Sequence, residues 1–352
     1  MMQNKRLDYI DIAKGIGMLT IIWGHIMEKG PLNTFVYSFH IPLFFFLSGM
    51  VFRREKYTSI KEFAAKKFRT ILIPYFVFSF LTWLVWVLYN AVLHHNVDSY
   101  FMPLLQTLVA QGSGGYLVHN VPLWYVPCLL AVELIYFCIS RSGKESTVFL
   151  LSGAFAMGSY LMERYVTAFD YTKLPWSLGA AFAGILFYAA GNHAMRSGLI
   201  YKMKEQIDRK PVCFLFLLMF MTGVLMILSA VNGHVSMGHE QYGKYRILFY
   251  LNGFLGTFCV LIFSMMIENV RPAALIRWIG LNSLYWMFIE NPVKGFIVVI
   301  VSKMMHISEE VLSAGIVPSL IAFVISTALT AAAVRMILTA EKELRKNQLL
   351  IG

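Results

Sequence analysis

The sequence predicts an all-α, polytopic integral membrane protein with about ten transmembrane helices in one bundle, and three observations carry that prediction. Hydrophobic residues fill 58% of the 352 positions and charged residues only 14%, with a mean hydropathy of +0.63, a composition suited to lipid rather than water. Apolar runs near the roughly 20 residues that cross the hydrocarbon recur from end to end. The loops between them alternate in basic charge, which orients a membrane protein with its Lys- and Arg-rich side in the cytoplasm.

The ten predicted spans are 10–27, 34–52, 70–93, 122–140, 148–162, 174–192, 212–231, 247–267, 281–301 and 311–338. Lys5 and Arg6 precede the first. Arg53, Arg54, Lys56, Lys61, Lys66, Lys67 and Arg69 separate the second from the third, Arg141 and Lys144 the fourth from the fifth, and Arg196, Lys202, Lys204, Arg209 and Lys210 the sixth from the seventh. Arg271, Arg277, Lys342, Arg345 and Lys346 fall on the same face, whereas no basic residue lies between Leu93 and Pro122. An even number of spans puts both termini in the cytoplasm. The formal charge of +11 is therefore topological, and no nucleic-acid partner is expected.

The first apolar run continues into Glu28, Lys29, Gly30 and Pro31 with no small-residue cleavage site, so it reads as an anchor and not a removed signal peptide. Neither repeats nor long polar tracts divide the chain, so residues 1–352 are expected to form a single membrane domain with no appended soluble one. The four cysteines, Cys128, Cys138, Cys213 and Cys259, sit in apolar spans without paired spacing, which points to packing and not to disulfides or a metal centre. Gln111 to Gly115 reads as turn chemistry without a P-loop lysine. Gly179, Ala183 and Gly184 suit close helix contact.

Ionisable groups at membrane depth are costly and mark sites by default. Lys14 precedes His25 by eleven positions, about three turns, so both share a helix face roughly 16 Å apart along the axis. Asp11, three residues before Lys14, falls near the same stripe. An imidazole there suits a general base, since the neutral form dominates at neutral pH. His40 enters the second span from the side toward which His25 leaves the first. Lys66 and Arg69, three apart, place two cations at the cytoplasmic mouth, where a polyanionic nucleotide or an anionic lipid is the natural partner. Glu133 and Glu290 are carboxylates at unusual depth, and Glu290 is expected to pair with Lys294 four residues on, around Pro292.

Several of these stretches resemble one family. Arg6-Leu-Asp8-Tyr9-Ile-Asp11-Ile-Ala-Lys14-Gly15 followed by His25 resembles the first-helix motif of the acyltransferase-3 family of bacterial membrane O-acyltransferases, fucose 4-O-acetylase-like enzymes among them. Phe39-His40-Ile-Pro42-Leu-Phe44 through Ser48-Gly49, Lys66-x-x-Arg69 with Pro74, Leu123-Trp124-Tyr125, and Trp278-Ile-Gly280-Leu-Asn282-Ser283-Leu284 resemble its later motifs, in the expected order. Lysine replaces the commoner arginine at Lys14 and Lys66, and Glu290 stands where many members place a histidine before a proline.

The resemblance implies transfer of a short acyl group, acetyl first, from cytoplasmic acyl-coenzyme A to a hydroxyl of a cell-envelope or lipid-linked carbohydrate. His25 would be the base, Lys14, Lys66 and Arg69 would hold the donor's phosphates, and Asp11 would set Lys14. His40, Glu28, Glu133 and Trp124 would bind the acceptor or support His25. No metal is implied, and the cytoplasmic membrane of a bacterium is the expected location. A transporter or flippase of a small molecule or lipid-linked saccharide is the competing class, since intramembrane charges and a ten-span bundle suit it equally. No pair of matching broken helices in two halves supports it.

Overall fold

The computed structural model describes residues 7–165 and 174–351, with side chains through Leu344. Lys5 and Arg6, which carry part of the first-motif resemblance and of the charge alternation, lie outside the described residues, as do the side chains of Arg345 and Lys346.

Sixteen α-helices follow one another without a strand among the described residues. They are α1 (Asp8–Ile26), α2 (Pro31–Tyr37), α3 (His40–Val51), α4 (Ile60–Lys67), α5 (Ile73–Val92), α6 (Met102–Val109), α7 (Tyr125–Ile139) and α8 (Glu145–Tyr165). Then come α9 (Leu178–Arg196), α10 (Leu199–Arg209), α11 (Pro211–Asn232), α12 (Arg246–Ile267), α13 (Ala273–Leu281), α14 (Ser283–Met305), α15 (Glu309–Ala314) and α16 (Ile316–Ile351).

Seven of the ten predicted spans are long and apolar enough to cross a membrane: Pro31–Val51, Ile60–Val92, Val121–Ser142, Pro211–Asn232, Arg246–Ile267, Ser283–Met305 and Ile316–Leu344. The remaining three are present as helices of 19, 21 and 19 residues, α1, α8 and α9. Their polar content keeps them below that standard, and α1 carries Asp11, Lys14 and His25.

In two of the predicted spans, 34–52 and 70–93, proline accounts for a departure from a straight helix. Pro42 has no N–H to give the carbonyl four residues back, and its ring crowds that carbonyl at Ser38. The chain accordingly breaks at Ser38–Phe39 between α2 and α3. Pro74 does the same to Thr70, and a wide π-turn, Phe68–Leu72, joins α4 to α5 there. A third proline, Pro292, stays inside α14. The carbonyl it releases, that of Phe288, accepts instead from the Asn120 side-chain amide at 2.8 Å.

The helices divide into an inner and an outer set. On α11 the side chains of Phe216, Phe220 and Ile227 are 65%, 69% and 66% exposed, an apolar surface that only lipid covers favourably. In contrast α3 and α7 are buried along most of their length. With no solvent between them to drive association, inner helices meet through small residues that let backbones touch. Gly49 on α3 faces the Tyr188 carbonyl of α9, and Gly191 on α9 faces the Phe46 carbonyl of α3. Gly15 and Gly280 join α1 to α13 in the same way. Gly184, expected at a helix contact, packs on Phe45.

A methyl group at Gly49 would fall on a carbonyl, so Gly49→Ala forces a crossing apart. Overpacking costs of this kind run to about 1–3 kcal/mol. The expected result is a fall in thermal midpoint of about 3–8 °C in detergent. Gly153→Ala, where a methyl meets nothing within 4 Å, should show no such fall.

Candidate functional site

The inner helices enclose a cavity of about 660 Å³. Its wall is built from α1, α2, α3, the α4 to α5 junction, α7, α14 and the two segments 110–121 and 233–241. Of the residues singled out in sequence, Lys14, His25, Glu28, His40, Trp124 and Glu133 all line it. Six residues from four helical regions thus converge. Asp11 does not line it, lying buried in α1 against α13.

His25 is the best-defined chemical group in that wall. Its Nδ1 lies 2.8 Å from Oε1 of Glu290 on α14. A carboxylate can only accept, so Nδ1 carries the proton and the Nε2 lone pair is left for chemistry. Glu290 is 1% exposed. This corrects the expectation that Glu290 pairs with Lys294: its carboxylate takes His25 across 265 residues of sequence, and Lys294 instead lines the cavity. Its depth in the span is the sequence feature that sets Glu290 apart from an ordinary i,i+4 pair.

His40 is fixed differently. Its Nδ1 lies 2.8 Å from the Val36 carbonyl, which again assigns the proton to Nδ1. The Tyr37 ring stands edge-on to His40 at 4.7 Å and lies 4.9 Å from the ring of His234. The turn that brings α2 back toward α1 is tied by Asn33, whose amide donates to the Gly24 and Met27 carbonyls at 3.1 and 2.7 Å.

The basic residues of the mouth divide between two faces. Lys66 and Arg69 do share a face, but it is the exposed one, and neither lines the cavity. The Lys66 ammonium sits 5.7 Å over the Tyr57 ring. Phe63, Lys67 and Ile71, at four-residue spacing, form the inward face, so Lys67 is the lysine in the wall. Its ammonium meets Oε1 of Glu133 at 2.6 Å. The buried Phe63 one turn earlier was the sequence signal for this phase, and it went unused.

A second missed set closes the opposite end. Segment 233–241, between α11 and α12, contributes His234, Ser236, His239 and Gln241 to the wall. A bridge between Ser236 and Gln241 makes it a tight loop, and Ser236 Oγ lies 2.8 Å from Nδ1 of His239. Burial, helped by the neighbouring His239, holds the His234 imidazole below its usual pKa and so neutral at neutral pH. Gly238 from this loop and Gly112 from the other press so closely on the Trp124 indole that neither position admits a side chain.

Within the described residues no group of three or more His, Cys, Asp or Glu is arranged to hold a metal ion. The four cysteines are free thiols, two buried and two exposed. The cavity therefore offers a carboxylate-held imidazole, three lysines at different positions, and an aromatic, polar cap.

Comparison with curated proteins and with solved structures returned no match. Comparison with protein families did: residues 7–335 match the profile of the acyltransferase domain of type 3. That stretch takes in every motif from Asp8 to Ser283 and every residue that lines the cavity. With nearly its whole length accounted for by one catalytic domain, and a bundle of membrane-crossing helices around a charged cavity, the chain belongs to the acyltransferase-3 family and is an acyl-transferring membrane enzyme.

Proposed function

We propose that the protein moves an acyl group, acetyl first, from acyl-coenzyme A to a hydroxyl of a cell-envelope or lipid-linked carbohydrate, with His25 as general base. The observation that carries this reading is the pairing of His25 Nδ1 with Glu290 Oε1 in the cavity wall, which leaves Nε2 as the proton acceptor. His25 removes the hydroxyl proton as the acceptor oxygen bonds to the thioester carbonyl carbon. Glu290 stabilises the imidazolium so formed, as a buried carboxylate does in a hydrolase triad. When the carbon–sulfur bond breaks, the same proton passes from Nε2 to the departing sulfur, and His25 is neutral again.

The donor fits the end of the cavity nearer the basic loops. Lys14 and Lys67 supply positive charge inside it, and Lys66 and Arg69, on the exposed face beside it, attract phosphates from solution. The opposite end, with Trp124, His234, Ser236, His239 and Gln241, combines aromatic surface with neutral hydrogen-bonding groups, as a sugar requires. The charge alternation supports a cytoplasmic donor side with both termini inside, and the family resemblance supports a bacterial inner membrane. A transporter is not favoured, because residues 7–335 match a family of acyl-transferring domains.

The direct test is label transfer from acetyl-coenzyme A by purified protein in lipid to an added envelope glycan extract. Labelled glycan and loss of thioester are expected. A protein that neither consumes nor binds any acyl-coenzyme A would return the transporter to first place. The two adjacent lysines give a sharper prediction. Lys67→Met together with Glu133→Gln, which removes a buried pair without stranding one charge, should lower transfer about 10- to 100-fold. Lys66→Met should act mainly on donor use at low salt, within about fivefold. Equal losses at both positions would undo the inward assignment of Lys67.

A further inference from the structure

A second cavity, of about 410 Å³, opens on the face of the basic loops and belongs to none of the motifs. We propose that it binds a phosphorylated nucleotide, the nucleotide end of acyl-coenzyme A, with Arg54 and Arg141 taking the phosphates. The proposal rests on the acyl-transfer reading above and gives the donor's far end a site that Lys66 and Arg69 do not form.

Three loops read in sequence only as topology signals converge here. Arg54 comes from the segment after α3, Arg141 from the turn between α7 and α8, and Arg196 from the end of α9. Orientation requires that such loops be basic and nothing more. Arg53, Lys56 and Lys61 meet that need without lining either of the two cavities.

The lining also holds two carboxylates, and each is already engaged. Glu55 lies 3.4 Å from Arg196 and Glu145 lies 3.2 Å from His193. Both carboxylates are turned largely to solvent, 67% and 63% exposed, where water screens them. The side chains of Arg54 and Arg141 are left with no hydrogen bond or ion pair among the described residues. Arg54 Nε is moreover buried without a hydrogen-bond acceptor, a donor stripped of water. A phosphate oxygen is the group that guanidinium donors match best.

The cavity also has the surface that a base needs. Phe149 and His193 meet edge to face at 5.3 Å in its wall, beside Tyr136. Aromatic faces of this kind stack on any base at about 1–3 kcal/mol. Its volume suits a ligand of this size, since small-molecule sites run to about 300–1,000 Å³.

The two cavities are neighbours through one pair of rings. The Arg54 guanidinium lies 4.6 Å over Phe137, Phe137 stacks on Phe63 at 4.8 Å, and the Lys67 ammonium lies 5.5 Å from Phe63. A cation of the second cavity and a cation of the first thus sandwich two stacked phenylalanines. A pantetheine arm, an extended chain with two amides, reaches past that pair, so phosphates in one cavity are compatible with a thioester in the other.

The probe is adenosine 3′,5′-bisphosphate, titrated by calorimetry against the full chain in nanodiscs of phosphatidylcholine, alone and with phosphatidylglycerol. Binding to the wild type in both lipids is expected. Arg54→Gln with Arg141→Gln should weaken it at least tenfold and raise KM for acetyl-coenzyme A by a similar factor, with kcat within twofold and the thermal midpoint unchanged. Arg53→Gln should bind as the wild type does. Equal affinity in the double variant overturns the proposal. So does binding that phosphatidylglycerol abolishes, because the phosphate in the cavity is then a lipid headgroup. Arginine-dependent nucleotide binding by a protein that transfers no acyl group would keep the site and remove the reaction.

Discussion

His25→Ala should abolish acyl transfer, by at least about 10³-fold, in a protein that remains folded in the membrane. General base catalysis by a positioned imidazole is worth roughly 10²–10⁴ in rate. His25 reaches the upper part of that range because its proton is assigned by Glu290 and its free nitrogen needs no search for orientation. The side chain is part-exposed in the cavity wall, so its removal enlarges an existing space and leaves no new void in the packed core. Single-turnover thioester loss, compared between the wild type and the variant at saturating acetyl-coenzyme A, makes the measurement. Full activity in His25→Ala would end the general-base role, whatever the acceptor turns out to be.

Glu290→Gln should lower kcat by about 10²–10⁴ while leaving donor affinity within a fewfold. The logic is that of a triad in which replacing carboxylate by amide keeps the shape and loses the tautomer. An amide nitrogen turned toward Nδ1 makes the imidazole carry its proton on Nε2, the nitrogen meant to receive one. Loss of the carboxylate also leaves the imidazolium without its stabilising charge. Glu290→Asp should recover part of the rate, since a shorter carboxylate preserves the tautomer at poorer geometry. A residue that only holds α14 to α1 would behave differently: both variants would lower the thermal midpoint, and kcat per folded molecule would stand. Equal kcat in the wild type and Glu290→Gln would reduce the pair to a helix contact.

Much of this was legible in the chain because membrane chemistry is read locally. Apolar run length located the long helices, and intramembrane charge singled out Lys14, His25, His40 and Glu133, all of which line one cavity. What failed was long-range partnership. Glu290 had a plausible partner four residues away in Lys294, and local spacing cannot reveal one 265 residues away in His25. The phase of the Lys66, Lys67 and Arg69 run was not legible for a related reason. A three-residue spacing defines a shared face without saying whether that face looks in or out, and the answer lay upstream in Phe63. Segment 233–241 carries no helical period, so its contribution to the cavity required the fold. The helix α10 (Leu199–Arg209) was hidden in a basic loop, since only Ile200 and Ile207 are buried and its other faces are polar.

Pro292 ends as a mechanical element. By withdrawing a hydrogen bond from α14 it hands the Phe288 carbonyl to Asn120, and Asn120 closes the loop that presses Gly112 onto Trp124. The tether is therefore anchored two residues from the carboxylate that steers His25. Outward displacement of that loop would load α14 at this anchor, so the loop over Trp124 and the helix that carries Glu290 are joined by a strut.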